Sequence, residues 1–275
     1  MWSQEGWCCW NVLVRADLIE RFNYVLEISY DGSKFSGSQL QPNKITVESV
    51  LKKYLLYFFK DLEKLIFAGR TDTGVHAVSQ TVNFYSCYNL NLNIVINHIN
   101  EYSHGIRVES IKIAESTFDS RRSARKRQYI YIFSNNSIPV YLKKYVSVIS
   151  YDFNPIDIKT CLDCLLGIHD FAVFQKSGSS AKSTVREIIS VDFNKFSYKV
   201  LTDSKKSIIL NKVTIEGNAF LYRMIRNIMG AIFEVLKNPN KLQPNDFKNL
   251  IVQNKRIFNF KPAPAAGLYL NKIWY

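Results

Sequence analysis

Acidic side chains are in short supply: 23 Asp and Glu stand against 36 Lys and Arg, a formal net charge of +13 over 275 residues. An imbalance of that size points to a polyanionic partner, because Lys and Arg neutralise phosphates and release their counterions. Glycine and proline are sparse, 11 and 7, which argues against a long disordered tract. No apolar run approaches the roughly 18–20 residues that a membrane span needs. The run Leu55-Leu56-Tyr57-Phe58-Phe59 is short and flanked by Lys52, Lys53 and Lys60. The five cysteines are odd in number and form no secreted disulfide framework. Cys161 and Cys164 have the spacing of half a metal clip, but no second Cys or His pair accompanies them. They read as reduced thiols, as expected in the cytoplasm.

What is present is ordinary globular material, 47% hydrophobic and 21% charged, with length for two domains or two fused lobes. Phe22, Tyr24, Leu26, Ile28 and Tyr30 alternate with mostly polar partners, a strand ended by Asp31-Gly32. Thr46 caps a predicted helix whose apolar positions Val47, Val50, Leu51, Tyr54, Leu55 and Phe58 trace one face. Short strands are expected over 65–68 and 78–85, a helix over 91–100 and a strand over 106–113. A basic segment, Arg121, Arg122, Arg125, Lys126 and Arg127, then runs into the strand Tyr129-Ile130-Tyr131-Ile132-Phe133. Beyond it, helices are predicted over 156–166 and 220–236, and strands over 186–193, 208–215 and 268–273. Strands and helices mix without regular alternation, so the fold class is α+β, with antiparallel sheet favoured. The expected organisation is an extension outside the fold (1–20), an N-terminal lobe (21–125) and a C-terminal lobe (126–275). The extension crowds Trp2, Trp7 and Trp10 with Cys8 and Cys9, without periodicity or a signal-peptide pattern.

The stretch most charged with chemistry is Phe67-Ala-Gly-Arg-Thr-Asp-Thr-Gly-Val-His-Ala77. Gly69 and Gly74 bracket a tight loop between two strands, with Arg70 and Asp72 at its apex. A carboxylate held there can act as nucleophile or base; alternatively the loop is a plain turn with a surface Arg–Asp pair. Asp72-Thr73-Gly74 is also the aspartic-protease triplet. That chemistry needs two carboxylates sharing a proton, and the chain carries one triplet. His76 and His169 lie inside loop motifs with no ligand partners at metal spacing, so both read as structural.

The loop resembles the catalytic motif of TruA-type tRNA pseudouridine synthases, and the likeness extends from about residue 22 to the C-terminus. Tyr30-Asp-Gly-Ser-Lys-Phe35 with Gln39-Leu-Gln-Pro42 is similar to that family's opening strand and loop. Ser38 replaces its usual Trp and Glu48 its usual Gln, departures expected to lie away from the chemistry. Phe118-Asp-Ser-Arg-Arg-Ser-Ala124 with Arg127-Gln-Tyr-Ile-Tyr131 resembles the second motif, and Leu166-Gly-Ile-His-Asp-Phe171 with Phe174 the second-lobe signature. Asn218-Ala-Phe-Leu-Tyr-Arg-Met-Ile-Arg-Asn-Ile-Met-Gly230 resembles the third motif. Pro264 with Ala265-Ala-Gly-Leu-Tyr269 looks like the C-terminal element.

The resemblance implies a pseudouridine synthase fold: two lobes of mixed and antiparallel sheet flanked by helices, with the active site between them. It implies uridine isomerisation at positions 38–40 of the tRNA anticodon stem-loop, by a homodimer. The reaction breaks an N-glycosidic bond and rejoins the base through carbon without redox change or added atoms, so neither cofactor nor metal is called for. Asp72 is the implied nucleophile, attacking uracil C6 or ribose C1′. Tyr129 is the implied platform for the flipped base, although strand alternation equally allows Tyr129 and Tyr131 as core aromatics. Arg226 would pair with Asp72, while Arg223, three residues earlier, would touch phosphate or solvent. Arg70, Arg121, Arg122, Arg125, Lys126 and Arg127 would line the entrance and hold phosphates. A non-catalytic RNA-binding module of the same fold is the second reading. It would keep the basic and aromatic residues without needing Asp72.

Overall fold

A computed structural model describes residues 20–176, 182–201 and 203–275. The expected extension over 1–20 lies outside the described residues except for its last position. Ten strands and five helices follow in the order β1 (Phe22–Tyr30), α1 (Val47–Phe58), β2 (Ile66–Phe67), β3 (His76–Ser86), α2 (Leu92–Tyr102), β4 (Ile106–Ala114), β5 (Lys126–Ser134) and β6 (Ser147–Val148). Then come α3 (Pro155–Asp163), β7 (Gly167–Asp170), β8 (Val185–Val200), β9 (Asp203–Gly217), α4 (Met224–Lys237), α5 (Pro244–Val252) and β10 (Leu268–Trp274). The fold is α+β around one mixed sheet.

The sheet runs β4-β1-β3-β10-β5-β9-β8-β7, with β2 on β3 and β6 on β5. Its pairings are antiparallel except β3–β10 and β5–β6. The last strand therefore occupies the middle. β10 pairs Tyr269 with His76 on one side and Leu270 with Tyr129 on the other. This joins the sheet's N-terminal strands to its C-terminal ones and brings the loop before β3 close to β5.

Alternation in β1 buries Tyr24, Leu26, Ile28 and Tyr30. Tyr24 meets Phe59, just past α1, at a ring distance of 5.0 Å, so α1 covers that face. The helix buries Val47, Leu51 and Leu55 and is closed by a capping box: Ser49 N donates to Thr46 Oγ1 at 3.1 Å and Thr46 N to Ser49 Oγ at 3.0 Å. Such a cap contributes about 1 kcal/mol. On the opposite face, Asn23 Nδ2 donates to the carbonyls of Glu115 and Phe118, and Asn83 Oδ1 accepts from Ser120 N. Two buried amides thus anchor the segment that leads into the basic run. In the other half, α3, α4 and α5 pack together over the sheet.

Several elements differ from the sequence expectation. The 220–236 helix begins only at Met224, because Arg223 adopts φ 62°, ψ 10°, a left-handed conformation that cannot propagate a right-handed helix. β8 and β9 extend well past 193 and before 208 as a long hairpin. Their outer ends expose Asn194, Lys195, Ser197, Lys199 and Ser207 and so lack a strong apolar pattern. β7 and α5 had no expected counterpart. No helix among the described residues is long and apolar enough to cross a membrane.

Candidate active site

The loop over 69–75 is held from both ends. Gln80, fully buried, accepts from Gly69 N at 3.3 Å and donates to Gly69 O at 2.7 Å. Two residues on, Thr71 is clamped three times. Its N–H donates to Ser38 Oγ at 2.9 Å, its carbonyl accepts from Ser38 N at 3.0 Å, and its hydroxyl meets Tyr30 Oη at 2.7 Å. Burial pushes the Tyr30 phenol up to about 12, so it serves as a neutral hydrogen-bonding group. Gly74 takes φ +80°, the conformation its place in the loop requires. Ser38, expected to be peripheral to the chemistry, is fully buried and bonded to the residue next to Asp72. Its importance was not readable from type or spacing, since the contact is made across 33 positions.

Asp72 is brought to the start of α4. Its Oδ2 lies 3.3 Å from Arg226 Nη1 and 3.6 Å from Arg223 Nε. The Asp72 and Arg226 side chains are only 12% and 15% exposed, so their attraction is less screened than that of a surface pair. Arg226 is fixed by a reciprocal clamp: its Nε donates to Ala263 O at 2.8 Å, and Ala263 N donates to Arg226 O at 2.8 Å. The clamp needs Gly230, because a Cβ there would collide with the Lys261 carbonyl. Arg223 holds its strained backbone without a side-chain cap, and its buried Nε has no hydrogen-bond partner.

Tyr129 projects from β5 beside the loop. A Cβ placed on Gly69 would lie 3.6 Å from its hydroxyl. The ring packs edge-on against Phe220 at 5.1 Å. Burial, then the neighbouring Tyr30 and Asp72, push its phenol well above the ordinary tyrosine value. Tyr131, on the same face, is 1% exposed and donates to Pro264 O at 2.9 Å; it is a core aromatic.

The basic residues separate. Arg70 is exposed at the loop apex, and Arg121, Arg122 and Arg125 are exposed as well. Asp119 Oδ1 shapes the turn beneath them by accepting from the backbone N–H groups of Arg121 and Arg122. Lys126 is paired with Glu216 at 2.7 Å and lies 3.9 Å from the Trp274 ring centre. Arg127 departs from the expectation of a phosphate contact. It is 9% exposed and donates to the carbonyls of Ala68, Asn218, Arg121 and Ala124. It ties the residue before Gly69 to the loop before α4, because a guanidinium in that interior must direct its donors at the oxygens around it.

Both expected structural histidines are hydrogen-bonded, His76 across distant segments and His169 locally. His76 Nδ1 accepts from Gly32 N at 3.0 Å and Nε2 donates to Lys144 O at 2.9 Å, while the ring stacks on Tyr269. Burial holds its pKa below the ordinary histidine value. His169 meets Leu166 O at 2.8 Å. Cys161 and Cys164 are free thiols.

A largely buried carboxylate is thus held by two arginines beside an aromatic phenol, an arrangement that can serve as nucleophile or base. Residues 163–275 match the family model described as tRNA pseudouridine synthase. Curated proteins named tRNA pseudouridine synthase A match almost end to end. The one from Thermoanaerobacter sp. (strain X514) is 34% identical, covering 92% of this chain and 99% of that protein. The one from Borrelia duttonii (strain Ly) is 31% identical over 90% and 97%. The chain belongs to the tRNA pseudouridine synthase A family. An archaeal box H/ACA sRNP Nop10-Cbf5 crystal structure aligns over 77% of this chain and 43% of that one, at 10% identity and a TM-score of 0.31.

Proposed function

We propose that this protein isomerises uridine to pseudouridine at positions 38–40 of the tRNA anticodon stem-loop, with Asp72 as nucleophile. The observation that carries the reading is the meeting of Asp72 and Arg226, 154 residues apart in sequence, at 3.3 Å beside Tyr129, in a chain similar to tRNA pseudouridine synthases A over nine-tenths of its length. The target nucleotide is flipped out of the stem-loop toward Asp72. The carboxylate attacks ribose C1′ or uracil C6. The N1–C1′ bond breaks, the base turns, C5 bonds to C1′, and the bond between Asp72 and carbon breaks to return the free carboxylate. Loss of the C5 proton and gain of one at N1 complete an isomerisation with no net change in atoms.

Arg226 neutralises Asp72 and fixes its direction of approach. Tyr129 supplies the face on which the freed base stacks, and its hydroxyl, kept protonated by burial, is available as a donor. Arg70, Arg121, Arg122 and Arg125 hold backbone phosphates at the entrance, with Lys126 beside them. The lobes are residues 21–125 and 126–275, the working unit is a homodimer, and the free thiols suit the cytoplasm. A non-catalytic RNA-binding role would leave the braced Asp72 without a purpose. The test is incubation of an unmodified tRNA transcript with the purified protein, followed by pseudouridine mapping. Pseudouridine confined to 38–40 supports the proposal; an unchanged transcript refutes it.

A further inference from the structure

Besides facing Asp72, Arg223 lines an open pocket of about 560 Å³. The pocket wall carries four cations, Lys176, Arg223, Arg256 and Lys261, and no acidic side chain among the described residues. Among those residues Lys176, Arg256 and Lys261 make no ion pair, while Arg223 approaches only Asp72. The nearby Asp170 is occupied by Ala172 N and Asn254 Nδ2. Unpaired cations converging on one concavity raise the local concentration of an anion.

The pocket is built rather than accidental. The Arg226–Ala263 clamp fixes one wall at the start of α4, Gly230 permits the approach of Lys261, and the Arg256 guanidinium lies 3.8 Å from the Phe260 ring centre. Lys176 N donates to Tyr222 O at 3.1 Å, holding another wall to the strained turn at Arg223. Asn227 Oδ1, a buried atom of a wall residue, lacks a hydrogen-bond partner, and the buried Arg223 Nε has only Asp72 Oδ2, at 3.6 Å and too long for a hydrogen bond. Native proteins leave few such atoms unpaired, and each calls for an explanation. A ribonucleotide offers both an acceptor, its phosphate, and a donor, its 2′-hydroxyl.

We infer that this pocket binds the RNA backbone at the phosphates next to the target uridine, with Arg223 spanning the pocket and the reaction centre. The inference rests on the proposed function and deepens it. Arg223 is the link because its side chain lines the pocket while its Nε stands 3.6 Å from Asp72 Oδ2. A nucleoside seated at Asp72 carries its own phosphates only a ribose away. Backbone strain of the kind seen at Arg223 persists where the surroundings over-determine it, and clusters at ligand clamps.

The test is a binding cycle with the full chain. Lys176→Gln combined with Lys261→Gln changes two exposed side chains, so the circular dichroism spectrum should match that of wild type. The second arm replaces the phosphates flanking the target uridine of an anticodon stem-loop with neutral methylphosphonates. The double variant should bind unmodified RNA about tenfold more weakly. Its log–log salt slope should fall by about 0.7 for each single-strand phosphate no longer engaged. Methylphosphonate RNA should bind wild type correspondingly weakly. Its further cost to the variant should stay below about twofold, because the same interaction cannot be removed twice. Unchanged affinity and slope, or losses that simply multiply, would overturn the inference. Wild-type protein that binds the stem-loop but makes no pseudouridine would refute the proposed function, while the cycle still decides on the pocket.

Discussion

The loop carrying Asp72 and the basic run at 121–127 are both rich in charge, and they use it in opposite ways. In the loop three residues are held: Gly69 by Gln80, Thr71 by Ser38 and Tyr30, and Asp72 by Arg226 and Arg223. In the basic run the charges divide. Arg127 is buried as a brace, Lys126 is paired with Glu216, and Arg121, Arg122 and Arg125 remain outside. One string of like residues thus contains a structural post and a solvated face. The difference is set by which carbonyls and carboxylates surround each side chain, not by the string itself.

The largest expected effects test whether the buried charges are held as tightly as their partners imply. Arg127→Ala strands the carbonyls of Ala68 and Asn218 and should cost about 2–6 kcal/mol, at roughly 1–3 kcal/mol for each group left unpaired. Urea unfolding measures this; a loss below about 1 kcal/mol would place Arg127 with the solvated residues after all. Arg226→Ala leaves Asp72 without its main partner and should cost about 3–5 kcal/mol. Added to Asp72→Asn it should cost less than the two singles summed. Strict additivity would show that the pair is not coupled.

Ser38→Ala removes the acceptor of the buried Thr71 N–H and should cost about 1–3 kcal/mol. Its kcat should fall while RNA affinity stays put; an unchanged kcat would return Ser38 to the periphery. The smallest stability effect belongs to the exposed arginines. Changing Arg121, Arg122 and Arg125 together to Gln should shift stability by no more than about 0.5 kcal/mol per site. It should also weaken tRNA binding and lower the salt slope by about one for each phosphate no longer engaged. If affinity and slope do not move, these side chains touch only solvent.

Much of this is legible in the sequence. Alternation locates β1, the Thr46 cap locates α1, and the resemblance to the family's motifs selects Asp72, Tyr129 and Arg226, which do converge. Residues whose importance depends on distant partners are not legible. Ser38 looks like any loop serine until Thr71 is placed against it, and Arg127 looks like any arginine until four carbonyls surround it. Arg223 is ambiguous because a left-handed residue at a helix start leaves no mark in apolar periodicity. The pocket cations Lys176, Arg256 and Lys261 belong to no run, and only the approach of their segments to α4 assembles them.

Central to the account is Asp72 as nucleophile, and one assay bears on it most directly: single-turnover conversion of an anticodon stem-loop by Asp72→Asn. The substitution keeps size and most hydrogen bonding while removing the charge. Conversion should vanish, with RNA affinity within a few-fold of wild type, because phosphate contacts supply most of the binding. Conversion near the wild-type rate, with deamidation back to Asp excluded by mass spectrometry, would contradict the assignment.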